Sequence, residues 1–186
     1  MAILKLKDLS KVRRWHPDKK IVFCSGVFDL THAGHALFFE DCKRHGDILV
    51  VVVGADIDVR KYKGKERPIL NQHVRLKMID MLKPVDYCLL GSPIKKEGLI
   101  MPLRSMVRRL KPHIYVVNED AFNIPARRQF AKENNVKLVV CRRSCPPEFE
   151  GISTSSIIEK MERIIKKRPY KNTGAPIGIT EGGRVF

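Results

Sequence analysis

The chain has 186 residues and a mass of 21.3 kDa, which suits one domain with short appendages and is cramped for two. Apolar residues make up 44% and charged residues 30%, values that exclude a wholly disordered chain, a collagen-like repeat and a small disulfide scaffold. The formal net charge is +16, so we expect the surface to attract anions such as nucleic acid, phosphorylated metabolites or acidic membranes.

The five cysteines are an odd number at irregular spacings, which predicts free thiols in a reducing, cytoplasmic compartment. No secretory signal pattern opens the sequence, and the longest apolar run, residues 48–53, is too short to cross a bilayer, so we expect no membrane insertion. A zinc site would have to be assembled from Cys42, His45, Cys141 and Cys145. Thiols in apolar segments usually act as small hydrophobic groups, and we therefore expect no metal bound by side chains.

Strand-like and helix-like segments alternate along the chain. Residues 1–19 form a short basic lead-in, and a buried-strand pattern begins at residue 21. Residues 54–70 are polar, basic and interrupted by Gly64 and Pro68, which predicts a loop. The remaining pattern predicts helices at 34–45, 71–82, 99–110, 125–134 and 153–167, and strands at 48–53, 86–90, 113–117 and 136–141.

This alternation predicts an α/β protein with a Rossmann-like, doubly wound parallel sheet of five strands and helices on both faces. We assign residues 20–167 to this domain. Residues 168–186 lose periodicity and contain four glycines and two prolines, which indicates a C-terminal tail. Within the domain, Asn71 should cap a helix whose buried face carries Val74, Met78, Ile79 and Leu82.

Two histidines lie where the first buried strand passes into a helix. In a doubly wound sheet, ligands bind beyond the carboxyl ends of the strands, and the free N–H groups of a helix N-terminus suit phosphate. His32 and His35 are three residues apart and can face the same way, while Gly34 allows a ligand or backbone to approach closely. The alternative is a pair of core histidines, but the position between strand and helix favours a phosphate site.

The segment from Gly26 to His35 resembles the G-x-F-D-x-x-H-x-G-H signature of the nucleotidylyltransferase superfamily. Six positions match, namely Gly26, Phe28, Asp29, His32, Gly34 and His35. A second segment, residues 151–158, resembles the I-S-T-S/T-x-I motif of that superfamily. Its hydroxyl and N–H groups at a new helix N-terminus make a second phosphate cradle, although Ser and Thr are also ordinary helix caps.

A third segment, residues 59–69, is basic and could be a solvated charge run. It also resembles a segment in the adenylyltransferase domain of ADP-heptose synthases, in which an arginine follows on the next helix. The matching residues are Lys63, Gly64, Arg67, Pro68, Ile69 and Arg75. The overall resemblance covers about residues 20–160 and implies that Lys63 neutralises the transferring phosphate and Arg75 the triphosphate.

The sequence departs from that family after the fourth predicted strand. The family has a K-G-G-D-Y-like segment, whereas residues 117–121 read Val-Asn-Glu-Asp-Ala, which keeps an acidic residue at Asp120 and has no glycine. Residues 83–87 are similar to archaeal FAD synthetases, and the block at 151–154 is equally at home in glycerol-phosphate and choline-phosphate cytidylyltransferases. The acceptor substrate therefore stays open.

The resemblance implies a nucleotidylyltransferase that moves a nucleoside monophosphate, AMP favoured, from the triphosphate to a phosphomonoester and releases pyrophosphate. A sugar 1-phosphate similar to heptose 1-phosphate is the favoured acceptor, and Mg²⁺ would bridge phosphate oxygens. His32, His35 and Lys63 would be catalytic. The implied nucleotide-binding residues are Gly26, Val27, Phe28, Asp29, Gly34, Arg75, Asn118, Asp120, Gly151, Ser153, Thr154 and Ser155. Of these, Asp29 could instead orient a histidine or backbone, or cap its own turn.

Three alternatives stay open. One is a CTP-dependent cytidylyltransferase acting on glycerol 3-phosphate, choline phosphate or ethanolamine phosphate, and another is an adenylyltransferase similar to FAD synthetase. A third, of a different class, is a basic nucleic-acid-binding module, indicated by the net charge and by the groups at 108–111 and 166–168. Because an RNA-binding aromatic signature is lacking, we do not expect nucleic acid as a partner. The oligomeric state, including a homodimer, is undetermined.

Overall fold

The computed structural model describes residues 2–92, 101–142 and 145–167. It contains one parallel sheet of six strands in the order β1-β4-β3-β2-β5-β6. The strands are β1 (Ala2–Ile3), β2 (Ile21–Gly26), β3 (Ile48–Val53), β4 (Tyr87–Leu90), β5 (Ile114–Asn118) and β6 (Lys137–Cys141). The predicted Rossmann-like α/β class is confirmed, whereas the predicted number of five strands is wrong by one.

Seven α-helices of the described residues connect and follow these strands. They are α1 (Leu9–Trp15), α2 (Ala33–Lys43), α3 (Asp56–Lys63), α4 (Gln72–Asp80), α5 (Met101–Leu110), α6 (Ile124–Glu133) and α7 (Thr154–Lys167), with short 3-10 turns at Leu6–Asp8 and Pro147–Phe149. The start of the predicted helix at 99–110 and the predicted tail at 168–186 lie outside the described residues. None of the helices within the described ranges has the length and apolar character needed to span a bilayer.

The chain forms two compact units, Met1–Thr154 and Ser155–Phe186, and the first contains the whole sheet. Each face of this sheet buries its own apolar cluster. On one face the strands pack against α1, α5 and α6, whose buried side chains include Leu9, Met106 and Phe130. On the other face they pack against α2 and α4 through side chains such as Phe39 and Ile79. All six side chains of β3 are buried, as a central parallel strand requires.

The order of the strands places one crevice at the carboxyl edge of the sheet. β2 pairs with β3 on one side and with β5 on the other, with Gly26 opposite Val53 and Cys24 opposite Val116. The chain therefore leaves β2 in one direction to build β3 and β4, and later crosses back to build β5 and β6. Such a switch point leaves a crevice between two neighbouring strands, which is where ligands of doubly wound sheets bind. Here it lies beyond the ends of β2 and β5.

The lead-in at residues 1–19 contains regular structure that the sequence did not predict. Ala2 and Ile3 add a sixth strand beside β4, where Leu4 N donates to Cys88 O at 2.8 Å. Helix α1 follows, and Leu9 and Val12 in it are completely buried. A two-residue strand and a seven-residue helix are too short to produce a readable hydrophobic period, so pairing and packing with distant residues decide both.

For residues 54–82 the predicted loop is wrong, and the predicted buried face of the following helix is right for Ile79 and Leu82 but wrong for Val74 and Met78. The segment predicted as a loop contains α3, whose only buried residue is Val59, so its sequence carries no apolar stripe. In α4, Asn71 caps the helix as expected, accepting hydrogen bonds from His73 N and Val74 N at 3.0 and 3.1 Å. The buried side chains of that helix are Arg75, Leu76 and Ile79, whereas Val74 and Met78 of the predicted face are more than 40% exposed.

All five cysteines are free thiols, as the sequence predicted. Cys24, Cys42 and Cys88 are buried, and burial raises the pKa of the Cys88 thiol to about 12, so this group stays protonated at neutral pH. Cys141 Sγ lies 3.6 Å from His45 Nε2. Across the described ranges, no group of three His, Cys, Asp or Glu side chains is arranged to hold a metal ion.

The packing of α1 against the sheet yields a stability prediction. Leu9→Ala should lower the free energy of unfolding by about 2–5 kcal/mol, because it removes a fully buried side chain and leaves a cavity. Ser10→Ala, at an exposed neighbouring position, should change it by less than about 0.5 kcal/mol. Urea unfolding followed by circular dichroism measures both values. Equal stability of the two variants would show that α1 is not part of the folded core.

Candidate active site

The turn from β2 into α2 has a backbone that few residues adopt. Phe28 and Leu30 have φ values of +53° and +46°, in the left-handed region that is costly for bulky side chains. Gly26 makes this possible, because a Cβ on it would lie 2.6 Å from Phe28 Cζ. The ring of Phe28 is thus folded back over Gly26 and packs against Phe39, with ring centroids 4.9 Å apart. This turn fixes the start of α2.

The two histidines lie side by side at that helix start. His32 is the N-cap residue of α2, and His35 is in its first turn. Their rings stack with centroids 3.9 Å apart and an interplanar angle of 27°, while the edge of Phe28 supports His35 at 5.4 Å. A Cβ on Gly34 would lie 3.0 Å from the His32 ring and 3.4 Å from Ile152 O. The glycine therefore allows the ring and a second chain segment to approach closely.

Asp29 is a buried carboxylate that orients the backbone of a neighbouring loop. It is 2% exposed and accepts hydrogen bonds from Ile69 N at 2.8 Å and Leu70 N at 3.0 Å. Arg67 adds an ion pair, with 3.0 Å between Arg67 Nη2 and Asp29 Oδ2. Asp29 Oδ1 also accepts a hydrogen bond from Leu30 N at 3.2 Å, so the carboxylate both caps its own turn and orients the backbone of the basic segment.

Arg75, to which the resemblance assigns the triphosphate, lies among the loops at the carboxyl edge of the sheet. Its side chain is completely buried, and Nε donates to Leu70 O at 2.9 Å. Nη1 donates to Val27 O, and Nη2 donates to Gly54 O and Asp56 Oδ1, both at 2.7 Å. The guanidinium joins three loops at the carboxyl edge, so a triphosphate could reach it only by displacing these contacts. Its place in the structure is that of a loop anchor.

The Gly-Ile-Ser-Thr block is brought to the histidine turn across a long stretch of sequence. Thr154 Oγ1 donates to Asp29 O at 2.9 Å, which joins residues 125 positions apart. Gly151 has a φ of +73°, a conformation that favours glycine, and Ser153 directly precedes α7. These three predicted residues thus share a region with the histidine pair. Ser155 begins the second compact unit.

Three other predicted site residues lie at the same edge of the sheet or at its loops. Asn118 is the last residue of β5, beside the end of β2, and Asp120 follows it in an exposed turn. Lys63 is exposed at the C-terminal end of α3, where Gly64 with a φ of +94° ends the helix. The roles of these side chains toward a nucleotide stay predictions.

A buried polar cluster near the crevice escaped the sequence analysis. Tyr115 in β5 is fully buried, and its hydroxyl lies 3.3 Å from Ser25 Oγ, next to Gly26. Arg127 in α6, itself 8% exposed, donates from Nη1 to that hydroxyl and from Nε to Phe122 O at 2.9 Å. Burial raises the pKa of Tyr115, and the charge of Arg127 opposes this shift in part. The cluster links the end of β2 to the first half of β5 and to the loop after β5.

No local sequence signal marks this cluster. Tyr115 lies in an apolar strand pattern, where an aromatic ring is ordinary core, and Arg127 lies in a helix with further basic residues. Their contact depends on how α6 packs on the sheet. Only a conspicuous polar residue inside a strand pattern could have suggested a buried partner.

A switch-point crevice with a histidine pair at a helix start defines a nucleotide-binding protein of the α/β type. The family comparison agrees, because residues 23–160 match the cytidylyltransferase-like family model, and the chain belongs to this family. The predicted membership of the nucleotidylyltransferase superfamily is thereby confirmed.

Similarity to individual proteins extends this finding. The Bifunctional protein HldE of Helicobacter pylori (strain P12) is 37% identical over 164 residues, which cover 86% of this chain and 31% of the relative. The chain thus spans about a third of the length of such relatives. The FAD synthase of Ferroglobus placidus is 31% identical over 151 residues, with 81% of this chain and 92% of the relative covered.

Among solved structures, the lipopolysaccharide core biosynthesis protein from Thermoplasma volcanium GSS1 aligns with a TM-score of 0.55 and 34% identity. The alignment covers 68% of this chain and 97% of that protein. The similarity thus includes most of the sheet-containing unit and supports the same family.

The Asp29 contacts yield a prediction for the loop they hold. Asp29→Asn should lower the free energy of unfolding by about 3 kcal/mol, because it removes the charge that pairs with the largely buried Arg67. Trypsin should also cut after the basic residues of 60–67 more rapidly. The matched control is Asp41→Asn, which breaks a surface pair with Arg44 and should cost less than about 0.5 kcal/mol. Unfolding curves and timed proteolysis measure both effects, and identical behaviour of the two variants would contradict the role of Asp29.

Proposed function

We propose that the chain is an adenylyltransferase that transfers AMP from ATP to a phosphomonoester, favoured to be a sugar 1-phosphate similar to heptose 1-phosphate, and releases pyrophosphate. The observation that carries this proposal is the hydrogen bond from Thr154 Oγ1 to Asp29 O at 2.9 Å. It joins the two phosphate-binding motifs of the family in one region. The similarity of the Lys63–Ile69 segment to ADP-heptose synthases supports the adenylyl branch.

In the proposed reaction, a phosphate oxygen of the acceptor attacks the α-phosphorus of ATP, a new P–O bond forms, and the bond to pyrophosphate breaks. The chemistry needs positioning and stabilisation of charge rather than a covalent intermediate. His32 and His35 would donate hydrogen bonds to phosphate oxygens as negative charge moves toward pyrophosphate. Their stacked rings, 3.9 Å apart, support a joint role, because the pair is already aligned before substrate binds.

The other charged and hydroxyl groups would act around this pair. Lys63 would neutralise the phosphate being transferred, for which its exposed position at the end of α3 leaves it accessible. Ser153 and Thr154 would bind the outer phosphates through hydroxyl and N–H groups. Arg75, buried among loop carbonyls, would hold the loops that surround the nucleotide instead of binding it.

Mg²⁺ is the proposed cofactor. The carboxylate of Asp29 is occupied by Arg67 and two backbone N–H groups, so it is unsuited as a metal ligand. With this carboxylate engaged, the ion would be held mainly by phosphate oxygens and water, as Mg²⁺ often is. When bound, the ion would offset negative charge on the triphosphate.

The nucleobase of the triphosphate would be recognised near the loop after β5. Asn118 and Asp120 lie there, at the side of the crevice away from the helix that carries the histidines. A few hydrogen bonds to the edge of a base are enough to select it. Free thiols support a reducing compartment, and we propose a cytoplasmic location.

A second candidate is transfer of AMP to riboflavin phosphate. The FAD synthase relative favours it, because the alignment covers 92% of that protein, whereas only 31% of the HldE relative is covered. Both candidates use ATP. Turnover on heptose 1-phosphate and riboflavin phosphate, read by pyrophosphate release, distinguishes them, and glycerol 3-phosphate tests the cytidylyltransferase alternative.

His35→Ala should lower turnover by about two orders of magnitude or more, the usual loss when a donor to a developing negative charge is removed. His45→Ala is the matched control, because it removes a histidine just beyond the other end of α2. Pyrophosphate release is measured for both, and circular dichroism verifies that they are folded. Near-normal turnover of a folded His35→Ala variant would remove the histidine pair from the mechanism.

ATP should be preferred over CTP by at least about tenfold in kcat/KM, a difference of roughly 1.4 kcal/mol that one well-made base contact can supply. Steady-state kinetics with each triphosphate and Mg²⁺ measures the ratio. Titration calorimetry without acceptor then separates the contribution of binding. Turnover with CTP and not with ATP would overturn the adenylyl assignment and leave the family assignment intact.

A further inference from the structure

The two faces of the sheet differ in charge. Helices α1, α5 and α6, which pack on one face, contain nine basic residues and one acidic residue: Lys11, Arg13, Arg14, Arg104, Arg108, Arg109, Arg127, Arg128, Lys132 and Glu133. Helices α2 and α4, on the opposite face, contain three basic and three acidic residues: Lys43, Arg75, Lys77, Glu40, Asp41 and Asp80. The net positive charge of the chain is therefore unevenly distributed over the folded unit.

Several of the basic side chains on α1 and α5 are exposed without a compensating acid. Arg14, Arg108 and Arg109 are exposed, and within the described ranges no carboxylate lies in ion-pair distance of them. Arg104, which pairs with Glu133 at 2.6 Å, borders with Ser105, Arg108 and Arg109 a shallow, open depression of about 440 Å³ on α5. Arg13 extends from α1 to the end of α5, where Nη2 donates to Lys111 O at 2.6 Å. This contact joins α1 to the C-terminal end of α5.

An aromatic platform lies at the end of α1. Trp15 is 53% exposed and stacks on Tyr87 of β4, with ring centroids 6.1 Å apart and an interplanar angle of 29°. His16 Nε2 lies 2.8 Å from the Tyr87 hydroxyl and helps to hold that ring. An exposed tryptophan on a helix that also carries arginines is a combination that suits single strands, because bases stack on the ring while the guanidinium groups bind phosphates.

We propose that the surface formed by α1, α5 and Trp15 binds single-stranded nucleic acid. Five of the six basic residues in these helices are arginines, whose planar fork fits phosphate better than a lysine ammonium does. The surface lies on the sheet face opposite to α2, which carries the histidine pair. Nucleotidyl transfer and nucleic-acid binding, which the sequence presents as competing functions, would therefore use different parts of the molecule.

Binding is measured by fluorescence anisotropy with a labelled single-stranded oligonucleotide of mixed sequence, about 20 nucleotides long, between about 50 and 200 mM salt. Affinity should fall steeply as salt rises. The double variant Arg108→Glu with Arg109→Glu should bind at least about tenfold more weakly, with a salt slope smaller by about 1.4 for two lost phosphate contacts. The matched control, Arg44→Glu with Lys77→Glu, makes the same charge change at exposed positions of the α2–α4 side and should weaken binding less than about twofold.

Trp15 provides an independent readout because it is the one tryptophan of the chain. Its fluorescence should be quenched by the oligonucleotide and not by inorganic polyphosphate, since only bases can stack on it. Equal weakening by both double variants, or no quenching, would overturn the proposal. Tighter binding to phosphatidylserine vesicles, with a blue shift of Trp15, would assign the surface to membranes instead. Pyrophosphate release by the Arg108→Glu and Arg109→Glu variant should be unchanged, so this test fails or succeeds separately from the proposed enzyme activity.

Discussion

Two buried charged side chains, Asp29 and Arg75, hold the loops at the carboxyl edge of the sheet, and the geometry of the candidate site depends on them. Asp29 accepts hydrogen bonds from backbone N–H groups of the basic loop, and Arg75 donates hydrogen bonds to carbonyl oxygens of three loops. Burying a charge is costly unless it is paired and hydrogen-bonded, and both groups meet this condition in the folded chain. Because either group would be left uncompensated if its loops moved, the loops are held in one arrangement.

The loops held by Asp29 and Arg75 give the candidate site a fixed geometry in the absence of a ligand. Phe28 and Leu30 adopt left-handed backbone conformations, which persist only where the surroundings enforce them. Asp29 lies between these two residues, and its own carbonyl also accepts the hydrogen bond from Thr154. The turn at residues 28–30 thus contains the two left-handed residues, the contact to the basic loop and the contact to Thr154. Tyr115 and Arg127 provide similar support on the β5 side of the crevice.

The sequence predicted correctly those features that depend on neighbouring residues and missed those that depend on packing with distant ones. The central strand at 48–53 and the Asn71 cap depend on neighbouring residues, and both have the predicted bounds or contacts. Helix α3 was missed because only Val59 in it is buried, and strand β1 because two residues form no pattern. The buried face of α4 was assigned wrongly at Val74 and Met78 because Arg75, a charged residue, occupies a core position that the hydrophobic pattern reserves for apolar groups.

The sequence by itself determined the α/β class, the family and the residues at which the first strand passes into the histidine helix, because strand and helix periods and a local motif need no tertiary information. The tertiary structure alone decided that Arg75 anchors loops, that Asp29 holds the basic segment, and that Tyr115 and Arg127 meet. It also decided that the basic residues of α1 and α5 lie together on one face. Each of these depends on pairs far apart in sequence, whose contact is set by the order of strands and the packing of helices on the sheet.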